Sequence, residues 1–306
     1  MKRVACLSGG VGGARFLHGL ARALPPGAVT AIVNTGDDFV HWGLDVSPDL
    51  DTVMYTLADL AHVERGWGLA EESWTTLAAM RRLGAPDWFS LGDRDLATHL
   101  VRSEELRRGV SLSAITARLA SALGVTSAIV PMSDHKVRTL IETREHGTIP
   151  FQDWFVRLRA APAVVAVRFD ANPPPAPAVL ALLREAELVV IAPSNPYVSI
   201  DPILALPGVR DALVGRRCVA VSPIVAGAAV KGPLAEMIQG LAGAAPSAGA
   251  IAAHYGSLLG GIVVEHGDEA SVRGPKALGA ATVMRTRADS ERLAREVLAF
   301  AAELPR

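Results

Sequence analysis

Apolar residues in this chain fall into short runs that alternate with turn residues and with stretches of helical spacing. Residues 4–7 form an apolar run that ends in glycines. Phe16, Leu17, Leu20 and Leu24 then recur with helical spacing, and Pro25-Pro26-Gly27 closes that helix. Residues 29–33 read as a second strand, closed by Asn34-Thr35-Gly36. Strand, loop, helix and strand within about thirty-five residues predict a βαβ unit of a parallel sheet.

The middle of the chain differs. Leu57, Leu60 and Ala61 predict one helix, residues 74–83 a second and residues 112–123 a third. This predicts a helical insertion or subdomain over 51–125, interrupting a nucleotide-binding core made of 1–50 and 126–306. Strands resume at 128–131 and at 137–142. In the second of these, the alternation of Arg138, Leu140 and Glu142 leaves one face wet. Further runs stand at 164–167, 188–192, 218–222 and 261–264, the first three continuous enough to read as buried parallel strands. Residues 282–284 would form a last short strand, and 290–302 an amphipathic helix. The fold class predicted is α/β: a Rossmann-like, mostly parallel sheet with helices on both faces and a helical insertion. In such sheets ligands collect at the carboxyl ends of the strands.

Composition narrows the partners. The 306 residues include 30 basic and 31 acidic ones, a formal net charge of −1. That balance argues against a nucleic acid partner. No run approaches the ~20 apolar residues of a membrane span, and glycines break the N-terminal apolar run too early for a signal peptide. Cys6 and Cys218 sit in strand-like runs without metal-ligand spacing, as expected of small core residues in a reducing, cytoplasmic setting.

Chemistry concentrates in a few loops. After the first strand comes Ser8-Gly9-Gly10-Val11-Gly12-Gly13-Ala14-Arg15. Gly9, Gly10, Gly12 and Gly13 would let backbone amides approach a phosphate at a helix N-terminus, with Arg15 adding a full charge. The alternative is a tight strand-to-helix turn with no ligand. After the second strand stand Asn34, Asp37 and Asp38, then Asp49 and Asp51 within Ser47-Pro48-Asp49-Leu50-Asp51-Thr52. Carboxylates gathered without matching bases call for a cation, and hard oxygen ligands suit Mg²⁺. Asp49 is also a candidate N-cap for the helix beginning near Asp51. Leu91-Gly92-Asp93-Arg94-Asp95 with His99 opens another helix; Arg94 could meet phosphate and His99 a substrate, or the aspartates could simply cap that helix. Pro131-Met132-Ser133-Asp134 has the same ambiguity. Ser194 and Asn195 lie between prolines after a strongly apolar strand and could contact a nucleotide. Lys231 could reach a phosphate. One or two of the five tryptophans could stack on a planar ring.

Taken in order, Leu7-Ser8-Gly9-Gly10 with Gly12, Asn34-Thr35, Ser47-Pro48-Asp49-Leu50-Asp51-Thr52, Leu91-Gly92-Asp93-Arg94-Asp95 with Ala97-Thr98-His99, Pro131-Met132-Ser133-Asp134, Phe151-Gln152-Asp153, Pro193-Ser194-Asn195-Pro196 and Ala220-Val221-Ser222-Pro223-Ile224 resemble the 2-phospho-L-lactate transferase family (CofD) of coenzyme F-420 biosynthesis. The resemblance spans nearly the whole chain. It implies an Mg²⁺-dependent transferase that moves a phospholactyl or phosphoenolpyruvyl group from a guanosine diphosphate ester to the deazaflavin alcohol Fo, releasing GMP. It also implies a homodimer. Within that reaction the glycine loop and Arg15 would hold the diphosphate, with Asn34, Ser194 and Asn195 also on the nucleotide side. Asp37, Asp38 and Asp51 would hold the metal, Asp51, Asp37 and Arg94 would act in catalysis, and Asp51 would contact the attacking hydroxyl. Arg94, Ser90 and His99 would lie near the acceptor; Ser90 stands where relatives often carry a base. A nicotinamide-dependent oxidoreductase and a non-catalytic nucleotide-binding regulator of related fold are the alternatives.

Overall fold

A computed structural model describes residues 1, 3–230 and 232–305. The chain begins β1 (Val4–Ser8), α1 (Gly10–Ala23), β2 (Val29–Val33). A small hairpin, β3 (Phe39–His41) and β4 (Leu44–Val46), leads into α2 (Pro48–Leu57). Helices α3 (Thr75–Arg82), α4 (Asp93–Arg107) and α5 (Leu112–Ala122) precede β5 (Ala128–Pro131). Then come β6 (Thr139–Thr143), β7 (Gly147–Pro150), β8 (Val164–Phe169), α6 (Val179–Glu185) and β9 (Leu188–Ile191). A π-helical turn (Pro196–Ile200), α7 (Asp201–Leu204) and α8 (Val209–Leu213) lead to β10 (Cys218–Val221). The rest is β11 (Ile224–Val225), β12 (Ala228–Ala229), α9 (Leu234–Ala242), α10 (Ala248–Tyr255), β13 (Gly261–Glu265), β14 (Lys276–Ala280) and α11 (Arg287–Ala302).

The central sheet has the order β14-β13-β10-β9-β1-β2-β5, and every neighbouring pair in it is parallel. The chain grows outward from β1 through β2 to β5, then returns to the other side of β1 with β9. The order therefore reverses between β1 and β9, and the two loops that leave these strands diverge there. That is the topological switch point at which open α/β sheets form their ligand crevice.

The inner strands β1, β2, β9, β10 and β13 are covered on both faces, which is why their sequences are mostly apolar. Successive residues alternate between two cores. Val4, Cys6, Val190 and Val219 face the side where α1, α2 and α11 supply Phe16, Leu17, Leu50, Val53, Leu293 and Val297. Ala5, Leu7, Ile191 and Ala220 face the other side, where α6 to α10 supply Val179, Leu183, Ile203, Val209, Ile238 and Ile251. Helix α11 is started by a capping box between Thr286 and Asp289. No helix among the described residues is long and apolar enough to cross a membrane.

Two expected strands are corrected. Residues 164–167 do not join the parallel sheet. They lie in β8, antiparallel to β6 at the side of a separate three-stranded sheet. Only one face of that sheet is buried, against Trp154, Val198 and Met237, and Val165 is 44% exposed. An apolar run alone does not say how many of its faces are covered. Residues 282–284 form no strand; the Thr282 amide and hydroxyl bond the Glu265 carboxylate instead of a ladder neighbour. The last strand is β14, whose Ala and Gly content gives little β signal.

Candidate active site

A cavity of about 560 Å³ opens over the carboxyl ends of β1, β2, β9 and β10. Gly9, Gly10, Gly12 and Arg15 form one wall, Asp37, Asp49 and Asp51 another, and Ser194, Asn195 and Ser222 a third. Trp67, Trp88, Phe89, Ser90 and His99 from the helical stretch, with Phe151 and Phe155, complete it.

The glycine loop is tied to the protein itself. Gly10 has φ +65°, and its N–H donates to Asp49 Oδ1 at 2.6 Å. Gly10 is the first residue of α1, so Asp49 caps α1 rather than its own helix α2; the N-cap expectation for Asp49 is corrected accordingly. A side chain on Gly9 would strike Asp49 Oδ2 and Ser199. The Gly9 N–H donates to the Ser194 hydroxyl (3.2 Å), which in turn donates to the Gly9 carbonyl (2.7 Å). Gly12 abuts the Pro193 carbonyl, and Gly13 lies beneath the surface against Ser8 and Ser194. The amides of Val11 and Gly12 lie in the first turn of α1, at its positive end. Arg15 bridges two loops, donating to Met284 O (3.1 Å) and Val63 O (2.9 Å) while still lining the cavity.

Behind the cavity wall Asn34 organises two carboxylates. Its Nδ2 donates to Asp37 Oδ1 (3.1 Å) and Asp49 Oδ2 (2.9 Å), and its Oδ1 accepts the Gly36 N–H. Burial pushes the Asp37 carboxyl well above the ordinary range, and the charges of Asp49 and Asp38 push it further. Burial also raises Asp49 to about 6, against the pull of Asn34 and Gly10. Asp38 is raised well above the ordinary range by burial, against the Ser47 hydroxyl that donates to its Oδ2 at 2.7 Å. Asp38 lines a smaller neighbouring cavity rather than the main one; one of its oxygens is bonded to Ser47, the other is buried without a partner among the described residues, and it feels the charges of Arg102, Asp51 and Asp49.

Asp51 has a different environment. Both of its oxygens are taken by the enclosed guanidinium of Arg102, Nη1 to Oδ2 at 3.0 Å and Nη2 to Oδ1. Burial pushes Arg102 down, but Asp51 more than offsets this and leaves the guanidinium above its ordinary value. His99 and Asp95 continue the network, and the Tyr55 hydroxyl donates to Asp95 Oδ1 (2.7 Å) and shares a bond with Thr98. The sequence reading missed Arg102 and Tyr55. A signal existed: residues 95, 99 and 102 are spaced by four and three, one face of a helix.

Other expected residues sit elsewhere. Arg94 is corrected: it is exposed and donates to Ala70 O at 2.8 Å, because the start of α4 turns it outward. Asp93 accepts from Ser73, Thr75 and Thr76 and so caps α3, while Glu72 accepts the Arg94 and Asp95 amides at the start of α4. Asn34 supports the site from behind rather than lining the cavity. Asp134 accepts the Ser113 amide at the start of α5. Asn195 caps the π-helical turn through Tyr197 N and reaches Met237 Sδ at 3.3 Å. Trp154 is core, whereas Trp67 and Trp88 line the cavity. Lys231 lies outside the described residues.

A doubly wound parallel sheet with a carboxylate-lined crevice at its switch point defines an open-sheet α/β protein with its ligand crevice there. Sequence comparison is more specific. The profile of the 2-phospho-L-lactate transferase family, CofD, matches residues 4–302. The chain is 46% identical over 290 residues to a phosphoenolpyruvate transferase of Kitasatospora aureofaciens, covering 91% of this chain and 90% of that one. It is 38% identical over 297 residues to a 2-phospho-L-lactate transferase of Methanospirillum hungatei, covering 96% and 99%. A crystal structure of a UPF0052-family protein from Bacillus halodurans superposes with a TM-score of 0.63 at 18% identity, covering 97% of this chain and 100% of that one, and shares the fold. The chain belongs to the CofD family and is a transferase.

Proposed function

We propose that this protein transfers a phosphoenolpyruvyl or phospholactyl group from a guanosine diphosphate ester to the terminal hydroxyl of Fo in coenzyme F-420 biosynthesis. The hydroxyl oxygen attacks the β-phosphorus of the donor. A new P–O bond forms, the bond from that phosphorus to the GMP oxygen breaks, and the hydroxyl proton is lost. Phosphoryl transfer of this kind is mainly positioning and charge neutralisation. The relatives at higher identity are named for phosphoenolpyruvate, which favours that donor.

The observation that carries this reading is the Asp37–Asp49 pair. Two buried carboxylates share one neutral amide on the wall of a large cavity. Such an arrangement fits a hard divalent cation, and Mg²⁺ commonly pairs one or two carboxylates with substrate phosphates. Asp37 and Asp49 would hold it, and when bound it would neutralise the diphosphate. The Val11 and Gly12 amides with Arg15 would face the phosphates. Asp51 would accept the hydrogen bond of the attacking hydroxyl, and Trp88, Ser90 and His99 would border the acceptor. Purified protein with Mg²⁺, Fo and each donor should release GMP and give a phosphodiester of Fo detectable by mass spectrometry. Absence of both products with either donor refutes the proposal.

A further inference from the structure

Helix α4 turns Asp95, His99 and Arg102 toward α2, where Asp51 lies. Arg102 is 1% exposed and does not line the cavity, while Asp51 and His99 do. Its two terminal nitrogens each take one oxygen of Asp51, a forked contact that fixes the plane of the carboxylate as well as its place. The carboxylate retains further lone-pair directions for a ligand.

The same guanidinium acts on His99. Arg102 Nη1 lies 3.2 Å from His99 Nδ1. A guanidinium only donates, so Nδ1 is the accepting nitrogen and the ring proton belongs on Nε2. His99 Nε2 is buried and stands 3.3 Å from Asp95 Oδ1, one turn earlier on α4. Asp95 Oδ1 is already engaged by the Tyr55 hydroxyl.

We infer that Arg102 is a positioning residue for the transfer: it orients the Asp51 carboxylate and fixes His99 as the Nε2–H tautomer. The cavity wall then offers an oriented acceptor, with the His99 N–H directed to Asp95. A hydroxyl donates one hydrogen bond, so a fixed carboxylate acceptor matches an alcohol nucleophile. This rests on the reading that an alcohol is the attacking group. A lysine at position 102 would keep the charge but could not grip both oxygens or present a fixed N–H to Nδ1.

The test compares the wild type with Arg102→Lys, which keeps the buried charge and so the fold, and with Arg102→Met. Circular dichroism reports folding, calorimetry with GDP reports nucleotide binding, and steady-state kinetics separate kcat from KM. In Arg102→Lys, kcat should fall by about 10²-fold, the cost of a slightly misplaced reacting group, with GDP affinity held within about twofold. Arg102→Met should lose more kcat without recovering it at high substrate. If folded Arg102→Lys turns over within about threefold of the wild type, Arg102 does not position the reaction. Nitrogen-15 NMR of labelled histidine gives a readout independent of turnover. His99 should show a protonated Nε2 and an accepting Nδ1 in the wild type and a mixture in Arg102→Met; a mixture already in the wild type overturns the inference. Failure of the wild type to release GMP would refute the transferase reading instead, and the NMR result would still decide the role of Arg102.

Discussion

Around Asn34, Asp37 and Asp49 face a neutral amide; two residues beyond Asp49, Asp51 faces a guanidinium. All three aspartates are buried beside one cavity, yet their electrostatics are opposite. The Asn34 pair has two carboxylates joined by an uncharged donor; burial raises both groups, and the like charges of Asp49 and Asp38 raise Asp37 further. The Asp51 end carries its own counter-ion in a two-pronged contact. The difference separates two tasks that a list of aspartates merges. On the proposed reading the first end would take a cation, whereas the second already holds a counter-ion and would offer hydrogen bonds.

The comparison can be broken most directly at Asp51 and Asp37. Asp51→Asn leaves Arg102 buried without its partner charge, so it should cost about 3 kcal/mol. In a chain this long that is roughly a 5 °C loss in Tm, measurable by thermal denaturation. Turnover should fall by about 10²-fold or more. Asp37→Asn should lose turnover on a similar scale, of order 10²-fold, but Tm should hold or rise, because a buried like-charge repulsion is removed. Equal falls in Tm for both variants would erase the distinction between the two ends.

Magnesium sharpens the same contrast with a smaller effect. Added Mg²⁺ should raise the Tm of the wild type by mass action, by up to ~2.7 kcal/mol of stability at a hundredfold excess over its Kd. The shift should persist in Arg102→Lys and vanish in Asp37→Asn. A shift that survives Asp37→Asn would move the cation away from Asn34. The smallest effect belongs to Arg94. Exposed and with its side chain bonded to the Ala70 carbonyl, Arg94→Ala should leave kcat/KM within about twofold; a large loss would place its side chain in the reaction after all.

The central strands were readable because parallel strands buried on both faces must be apolar throughout, and β1, β2, β9 and β10 show this. The loops that bear chemistry were readable because they follow those strands. What failed followed from the same logic. The run at 164–167 is as apolar as a central strand, but only its neighbours show that one face is open. Arg94 and Asp93 sit in a motif dense with charge, but the first turn of α4 directs one to solvent and the other to cap α3. Arg102 was passed over because a lone arginine in a helix normally reads as a solvated charge; burial against Asp51, fifty-one residues away, is invisible to local spacing.

By itself, the sequence determined most strands of the parallel sheet, the loops that leave them and the gathering of aspartates beyond β2, because local periodicity and turn residues fix strands and their loops. Tertiary structure decided how those aspartates divide. Asn34 and Arg102 meet them from separate elements, and a carboxylate's role depends on the charge and donors packed around it, which only the folded chain supplies.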